Sequence, residues 1–241
     1  KFMRAQINGD KYKLYLNTSI KNRSIEPLTD LDGSELKEWR SNIIQLTDLL
    51  RVNLVELGDV TAAVDLAAKH GLFLHDNEIA VAFKAISWGL KNESSVDFTD
   101  MLYFPVIKNI RMPKYDWVFI DECQDLNAAQ RELFLMCLKD SGRFIAVGDP
   151  RQAIYGFAGA DVRSFNILKN LPATVSLPLS VCYRCDQQII DLAQDLVPQI
   201  EAKDGAATGT VEMEDSLNNV EDGDMILCRL TAPLVDVCMQ Y

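Results

Sequence analysis

At residue 115 the chain changes rhythm, and that change restricts its fold more than any other feature. Two apolar runs, Trp117-Val118-Phe119-Ile120 and Phe144-Ile145-Ala146-Val147, each stop abruptly at polar residues: Asp121-Glu122-Cys123-Gln124-Asp125 and Gly148-Asp149-Pro150-Arg151-Gln152. Short continuous apolar runs of this kind read as buried parallel strands whose carboxyl ends open onto a site. Helical spacing over 127–138 lies between them. Beyond them the alternation predicts a helix over 162–170, a short strand over 174–177 and a helix over 186–196 stopped by Pro198. A Gly/Ala/Asp-rich break at 203–209 then precedes a strand pair, 210–214 and 224–228. Strand–helix alternation of this kind implies an α/β fold, a mainly parallel sheet covered by helices.

Upstream the pattern differs. Residues 1–30 are polar, with a short strand or hairpin expected around 11–16. From 34 to 111 the apolar spacing is helical. Leu36, Trp39, Ile43, Ile44, Leu46, Leu49 and Leu50 form one stripe. Further helices are expected over 60–69 behind Asp59, over 77–90 behind Asn77 and over 97–107 from Asp97, since Asp and Asn are good N-caps. Trp39 and Trp88 read as core aromatics. The expected organisation is a helical subdomain over 1–111, a strand–helix domain over 112–202, and a linker with the start of another domain over 203–241.

Composition excludes several classes. With 48% hydrophobic residues the 241-residue chain can build a core, and it contains no apolar run of the length a membrane span needs. The first residues have no signal-peptide layout and no initiator Met, so an excised piece of a longer cytoplasmic protein is expected. A net charge of −11 argues against a generic basic nucleic-acid coat, although it leaves room for a local basic groove. The six cysteines sit mostly in apolar segments, as in a reduced compartment. Cys182-Tyr183-Arg184-Cys185 has CxxC spacing. With His70 and His75 far upstream, it reads as two ordinary thiols rather than a zinc or redox site.

The strand ends carry the chemistry. A carboxylate at such an end, Asp121, can hold magnesium, and a neighbour, Glu122, can take a proton from water. Gln152, at the second strand end, can bridge a terminal phosphate and that water. Tyr155 and Phe157 alternate beside Gly156 and Gly159, a pattern suited to stacking on bases and equally to local packing. Arg184 can clamp a phosphate, or cap and pair locally with Asp186.

Taken together these segments resemble the UvrD/Rep-like superfamily 1 DNA helicases. Val118 to Asp125 looks like their Walker B motif, Gly148 to Ala160 like their third motif, and Leu177-Pro178-Leu179 with Tyr183-Arg184 like their fourth. Val96 to Leu102 is similar to the Asp-Phe segment ahead of Walker B. Met225 to Ala232 is similar to the segment opening the second motor domain. All five stand in family order. The resemblance implies a RecA-like P-loop NTPase sheet, incomplete here, with an all-helical inserted subdomain. It implies ATP and magnesium as cofactors, and single-stranded DNA and a duplex junction as partners. It implies an ATP-dependent helicase of bacterial or phage type that moves 3′ to 5′ along one strand. Residue by residue, Asp121 would bind the magnesium, Glu122 would act as base, and Gln152 would sense the γ-phosphate. Arg184 would contact the γ-phosphate, Tyr183 would lie by the adenine, and Tyr155 and Phe157 would face DNA.

The pattern also departs from the family. No G-x-x-x-x-G-K-[ST] phosphate loop occurs in the 241 residues, and the late motifs of the second motor domain are absent. Retention of Asp121, Glu122, Gln152 and Arg184 favours a segment that starts after the loop over a decayed relative, and such a segment is expected to be inactive alone. Phe157 stands where the family usually has Trp, Ala158 where Arg is common, and Cys123 where Phe is frequent. Two alternatives stay open: the motor of a helicase-nuclease subunit, and a non-catalytic DNA-binding or scaffold module that kept the fold.

Overall fold

The structure, a computed structural model, describes residues 5–25, 31–74, 76–154, 159, 161, 163–213, 220–228 and 230–239. They divide into two compact units, Lys1–Val175 and Ser176–Tyr241. The architecture is mixed α/β, with short parallel strand pairs.

The first unit opens with β1 (Gln6–Ile7) and α1 (Lys11–Lys21), followed by α2 (Gly33–Val52), α3 (Val60–Lys69), α4 (Asp76–Lys91), β2 (Ser95–Val96) and α5 (Phe98–Ile107). β1 and β2 pair in parallel. The helix starts follow the chemistry expected of them. Asp59 accepts the Ala62 N–H at 2.9 Å, and Asp32 and Asp97 form reciprocal capping boxes with Glu35 and Asp100. Satisfying those orphan N–H groups is worth about 1 kcal/mol per cap. The apolar stripe of α2 faces α1, α3, α4 and α5 and builds one core with Leu16, Ala63, Ile79, Ala82, Ile86, Tyr103 and Phe104. Helix α4 begins one residue before Asn77, so Asn77 lies inside it rather than capping it.

Residues 11–16 are helical, not the expected strand. Tyr12, Leu16 and Ser19 are buried at helical spacing, while Leu14 points to solvent. The sequence misleads here because the inward face of α1 includes a lysine. Buried Lys11 donates to Asp100 Oδ2 at 2.6 Å, and Tyr12 donates to Asp100 Oδ1 at 2.8 Å. Arg51, also buried, donates to Asp97 Oδ1 and Oδ2 at 2.9 Å, to Asp100 Oδ1 at 2.7 Å, and to Asp48. Two cations thus meet three carboxylates where α1, α2 and α5 converge. Burial pushes the Tyr12 hydroxyl well above its usual range and raises the Asp48 carboxyl. Gly89 is required for this approach, since a Cβ there would stand 2.1 Å from the Tyr12 hydroxyl. Trp88 stacks on Tyr15 with centroids 4.6 Å apart.

The rest of this unit is β3 (Tyr115–Ile120), α6 (Ala128–Met136), β4 (Leu138–Ala146) and α7 (Ser164–Lys169). Asn127 caps α6, accepting the Gln130 N–H at 2.8 Å. β3 and β4 are parallel, in register from Trp117↔Arg143 to Ile120↔Ala146, with α6 as the crossover. Parallel strands need such a connection. One face of the pair, with Val118, Ile120, Phe144 and Ala146, packs with Cys123, Leu126, Phe134, Phe165 and Leu168. The opposite face is not covered as expected: Trp117 is 48% and Phe119 69% exposed, and Ile145 and Val147 accompany them.

The second unit contains β5 (Val181–Cys182), α8 (Gln187–Gln194), β6 (Glu201–Ala202) and α9 (Thr231–Cys238), with β5 and β6 parallel. The strands expected over 174–177, 210–214 and 224–228 do not form among their described residues. Their apolar side chains, Leu177, Met213, Met225 and Leu227, stand in solvent, and no neighbouring described strand supplies the ladder hydrogen bonds. Among the described residues no helix is long and apolar enough to cross a membrane.

Candidate functional site: the joined ends of β3 and β4

The register sets Ile120 beside Ala146, so the two polar signatures leave the sheet side by side. Pairing continues past the strands: the Val147 N–H donates to the Ile120 carbonyl at 2.8 Å, and the Cys123 N–H to the Val147 carbonyl at 2.9 Å. Asp121 and Glu122 therefore emerge next to Gly148-Asp149. Both carboxylates are exposed. Asp121 Oδ1 accepts the Glu122 N–H at 3.0 Å.

Glu122 has a left-handed backbone, φ 49° and ψ 45°. That conformation costs a non-glycine residue on the order of 1 kcal/mol. It turns the chain sharply from β3 into the single 3₁₀ turn of 123–125, where the Asp125 N–H donates to the Glu122 carbonyl at 2.9 Å.

Gln124 ties the two signatures together. Its buried carboxamide donates from Nε2 to Glu122 Oε2 at 2.8 Å and accepts the Asp149 N–H on Oε1 at 3.1 Å. Both ends of the amide are in use, so its orientation is fixed by chemistry. Gly148 makes room for it: a Cβ would fall 2.4 Å from Gln124 Oε1 and 2.8 Å from Cys123 Sγ. Here the smaller Cys123 packs inward, buried, with its thiol raised chiefly by that burial. Asp125 is also pushed up, by burial and then by the charge of Glu122.

Gln152 stands at the second strand end. Its Nε2 donates to Asp149 Oδ2 at 2.9 Å, while Asp149 Oδ1 accepts the Arg151 N–H at 2.9 Å. The structure thus brings Asp121, Glu122 and Gln152 to one edge through Gln124 and Asp149. Those two linking residues escaped the sequence reading, although the Gln-Asp step after the acidic pair was visible in it. Behind the site, Asp161 accepts from Arg131 Nη1 at 3.0 Å and Arg163 Nε at 3.0 Å, and Ser164 Oγ donates to the Leu126 carbonyl at 2.9 Å. Burial works to raise the Asp161 carboxyl, but the hydrogen bonds from Arg163 and Arg131 outweigh it and hold that carboxyl below its usual range.

Tyr155 and Phe157, predicted to face bases, lie outside the described residues, as do Gly156 and Ala158. Tyr183 and Arg184 belong to the second unit, on the turn between β5 and α8, and both are exposed.

Two parallel strands delivering acidic and amide side chains to one edge define a class, the α/β proteins that act at the carboxyl ends of their strands. Residues 64–172 match the family model for the UvrD/REP helicase N-terminal domain. The chain is 29% identical to ATP-dependent DNA helicase Rep of Buchnera aphidicola over 143 residues, covering 56% of this chain and 21% of that protein. It is 28% identical to ATP-dependent DNA helicase PcrA of Staphylococcus epidermidis over 142 residues, covering 54% and 19%. It is 24% identical to a probable DNA helicase II homolog of Mycoplasma capricolum over 208 residues, covering 79% and 26%. Residues 64–172 thus carry the signature of the UvrD/REP helicase N-terminal domain, and the chain is similar to UvrD/Rep-like superfamily 1 helicases. It spans about a fifth to a quarter of the length of these relatives.

Proposed function

We propose that this chain supplies the water-activating and sensing half of the ATP site in an ATP-dependent DNA translocase that unwinds duplexes. The observation that carries the reading is the Gln124 carboxamide, which couples the Glu122 carboxylate to the Asp149 N–H and so makes one unit of the two strand ends.

The residues present suit magnesium and a nucleotide triphosphate. Magnesium keeps most of its waters and needs only one or two protein carboxylates when phosphates complete its shell. Asp121 is exposed and has acceptor capacity beyond the one N–H it receives. Bound there, the metal would neutralise charge developing on the transferred phosphoryl group. Glu122, held by Gln124, would accept the proton of the attacking water. Gln152 would exchange Asp149 for the γ-phosphate and so report nucleotide state to the segment that follows it. Arg184 would add positive charge at the γ-phosphate, and Tyr183 would lie against the adenine. Tyr155 and Phe157 would stack on single-stranded DNA, where aromatic contact is indifferent to sequence.

The phosphate-cradling loop is not among these residues, so the polypeptide carrying this segment, rather than the isolated 241 residues, is expected to hydrolyse ATP in response to DNA. In that polypeptide Glu122→Gln should lower kcat by about a hundredfold or more while nucleotide binding persists. DNA-stimulated hydrolysis by the isolated chain, abolished by Glu122→Gln, would refute the division of labour. A carrier polypeptide with no ATPase would refute the enzyme and favour the scaffold.

A further inference from the structure

The join between β1 and α1 carries reactive chemistry that an ATP site does not use. Asn8-Gly9 is the one asparagine–glycine step in the sequence. The backbone of Asn8 is engaged on both sides. Its N–H extends the β1–β2 pairing by donating to the Val96 carbonyl at 2.8 Å, and its carbonyl accepts the Lys11 N–H at 3.2 Å where α1 begins. The side chain faces forward. Asn8 Oδ1 accepts the Asp10 N–H at 3.1 Å, an Asx turn that wraps the carboxamide around Gly9. Gly9 itself is exposed, and a Cβ there would meet nothing within 4 Å.

This turn favours attack of the backbone on the side chain. The Gly9 nitrogen closes a succinimide ring when it bonds to Asn8 Cγ. The Asp10 N–H, already on Asn8 Oδ1, polarises that carbonyl and stabilises the oxyanion the attack creates. Glycine has no side chain to obstruct the ring, and its backbone is the freest to reach the required conformation. Asn22 supplies the contrast within the same chain. It is exposed, and its Oδ1 accepts the Ser24 N–H, also at 3.1 Å, but the residue that follows it is Arg23.

We propose that Asn8 is a site of spontaneous deamidation, with water as co-reactant and an isoaspartyl linkage as the main product, and that this reaction limits the lifetime of the helical region. In the first step the Gly9 nitrogen bonds to Asn8 Cγ and gives up its proton. The bond from Cγ to the side-chain nitrogen breaks, and that nitrogen takes the proton and leaves as ammonia. In the second step water adds to a ring carbonyl, the bond from that carbonyl to the ring nitrogen breaks, and the nitrogen regains a proton. Opening at Cγ gives aspartate. Opening at the main-chain carbonyl gives isoaspartate, in which the chain runs through Cβ and Cγ. Nothing is oxidised or reduced. The isoaspartyl chain is longer by a methylene group between β1 and α1. Lys11 follows closely, and its ammonium must reach Asp100 Oδ2 at 2.6 Å inside the core. Pairing with Val96 and the buried ion pair then no longer fit the same length of chain.

The test ages the full 241-residue chain in mildly alkaline buffer at physiological temperature and samples it by peptide mapping, with Asn22 as the internal reference. Isoaspartate is read by enzymatic methylation with labelled S-adenosylmethionine. The Asn8 peptide should exchange the mass of ammonia for that of water several-fold faster than the Asn22 peptide, and should yield more isoaspartate than aspartate. Gly9→Ala places its methyl in open space, so it should fold as the wild type does and slow Asn8 to the rate of Asn22. Aged wild type should unfold at lower urea than fresh protein, and aged Gly9→Ala should not. Loss of the Asn8 amide no faster than that of Asn22, or aspartate as the sole product, overturns the deamidation site. An isoaspartyl chain with an unchanged urea midpoint overturns its effect on the helical region.

Discussion

The helical region, α1 to α5, buries its strongest charges, whereas the β3–β4 region exposes its largest aromatics. Along the inward face of α2 the core closes, and Lys11, Arg51, Asp97 and Asp100 lie inside it because each finds opposite charge within hydrogen-bonding distance. In the strand pair one face has its core and the other leaves Trp117 and Phe119 in water. The first region is specified by polar complementarity, which tolerates no missing member. The second is specified by backbone pairing and one apolar face, and its free face contributes little to holding it together. What that exposed face leaves undisturbed is the strand end, where Gln124 fixes the site.

The largest effect is expected from Arg51→Met. It removes the cation shared by Asp48, Asp97 and Asp100 and leaves buried carboxylates short of partners, a loss of about 3–5 kcal/mol. Urea unfolding of the variant measures it, and a loss below about 1 kcal/mol would mean the helical core does not depend on its charges. Gly148→Ala should cost roughly 1–3 kcal/mol by the same assay, because the new methyl displaces the Gln124 carboxamide or the Cys123 thiol. A neutral result would show that the two strand ends are not locked together.

Asp161 brings pH into the comparison. Its folded carboxyl is depressed, so the unfolded chain binds the proton more readily, and the stability it supplies is present above about pH 4 and fades as acid titrates it. The urea midpoints of the wild type and Asp161→Asn should differ at about pH 7 and converge toward about pH 3. A gap that stays constant with pH would remove the ionic contribution. The smallest effect belongs to Phe119→Lys on the open face, within about 0.5 kcal/mol of wild type and with slower aggregation by light scattering. A large loss there would show that this face is covered after all.

Much of this was legible in the chain. The helix over 60–69, its Asp59 cap, the start at Asp97 and the strands entering Asp121 and Gly148 follow from apolar period and capping chemistry, both of which are local. The inward turn of Lys11 and Arg51 was not legible, because a cation is buried only when distant carboxylates meet it, and 89 residues separate Lys11 from Asp100. The strands expected over 210–214 and 224–228 failed for a related reason: alternation states a preference, and a strand exists only when a neighbour accepts its hydrogen bonds. The acidic pair and Gln152 were named from their positions after apolar runs. Gln124 was passed over because its role appears only once Asp149 lies beside it.

The left-handed backbone at Glu122 has an evolutionary consequence. A glycine there would relax the turn and stabilise the protein, while deleting the Glu122 carboxylate that Gln124 holds. β-Branched residues are barred by sterics from the same conformation. The position is thus pulled toward glycine by folding and held at glutamate only while its carboxylate is used, so lineages that abandon that use should drift to glycine there first.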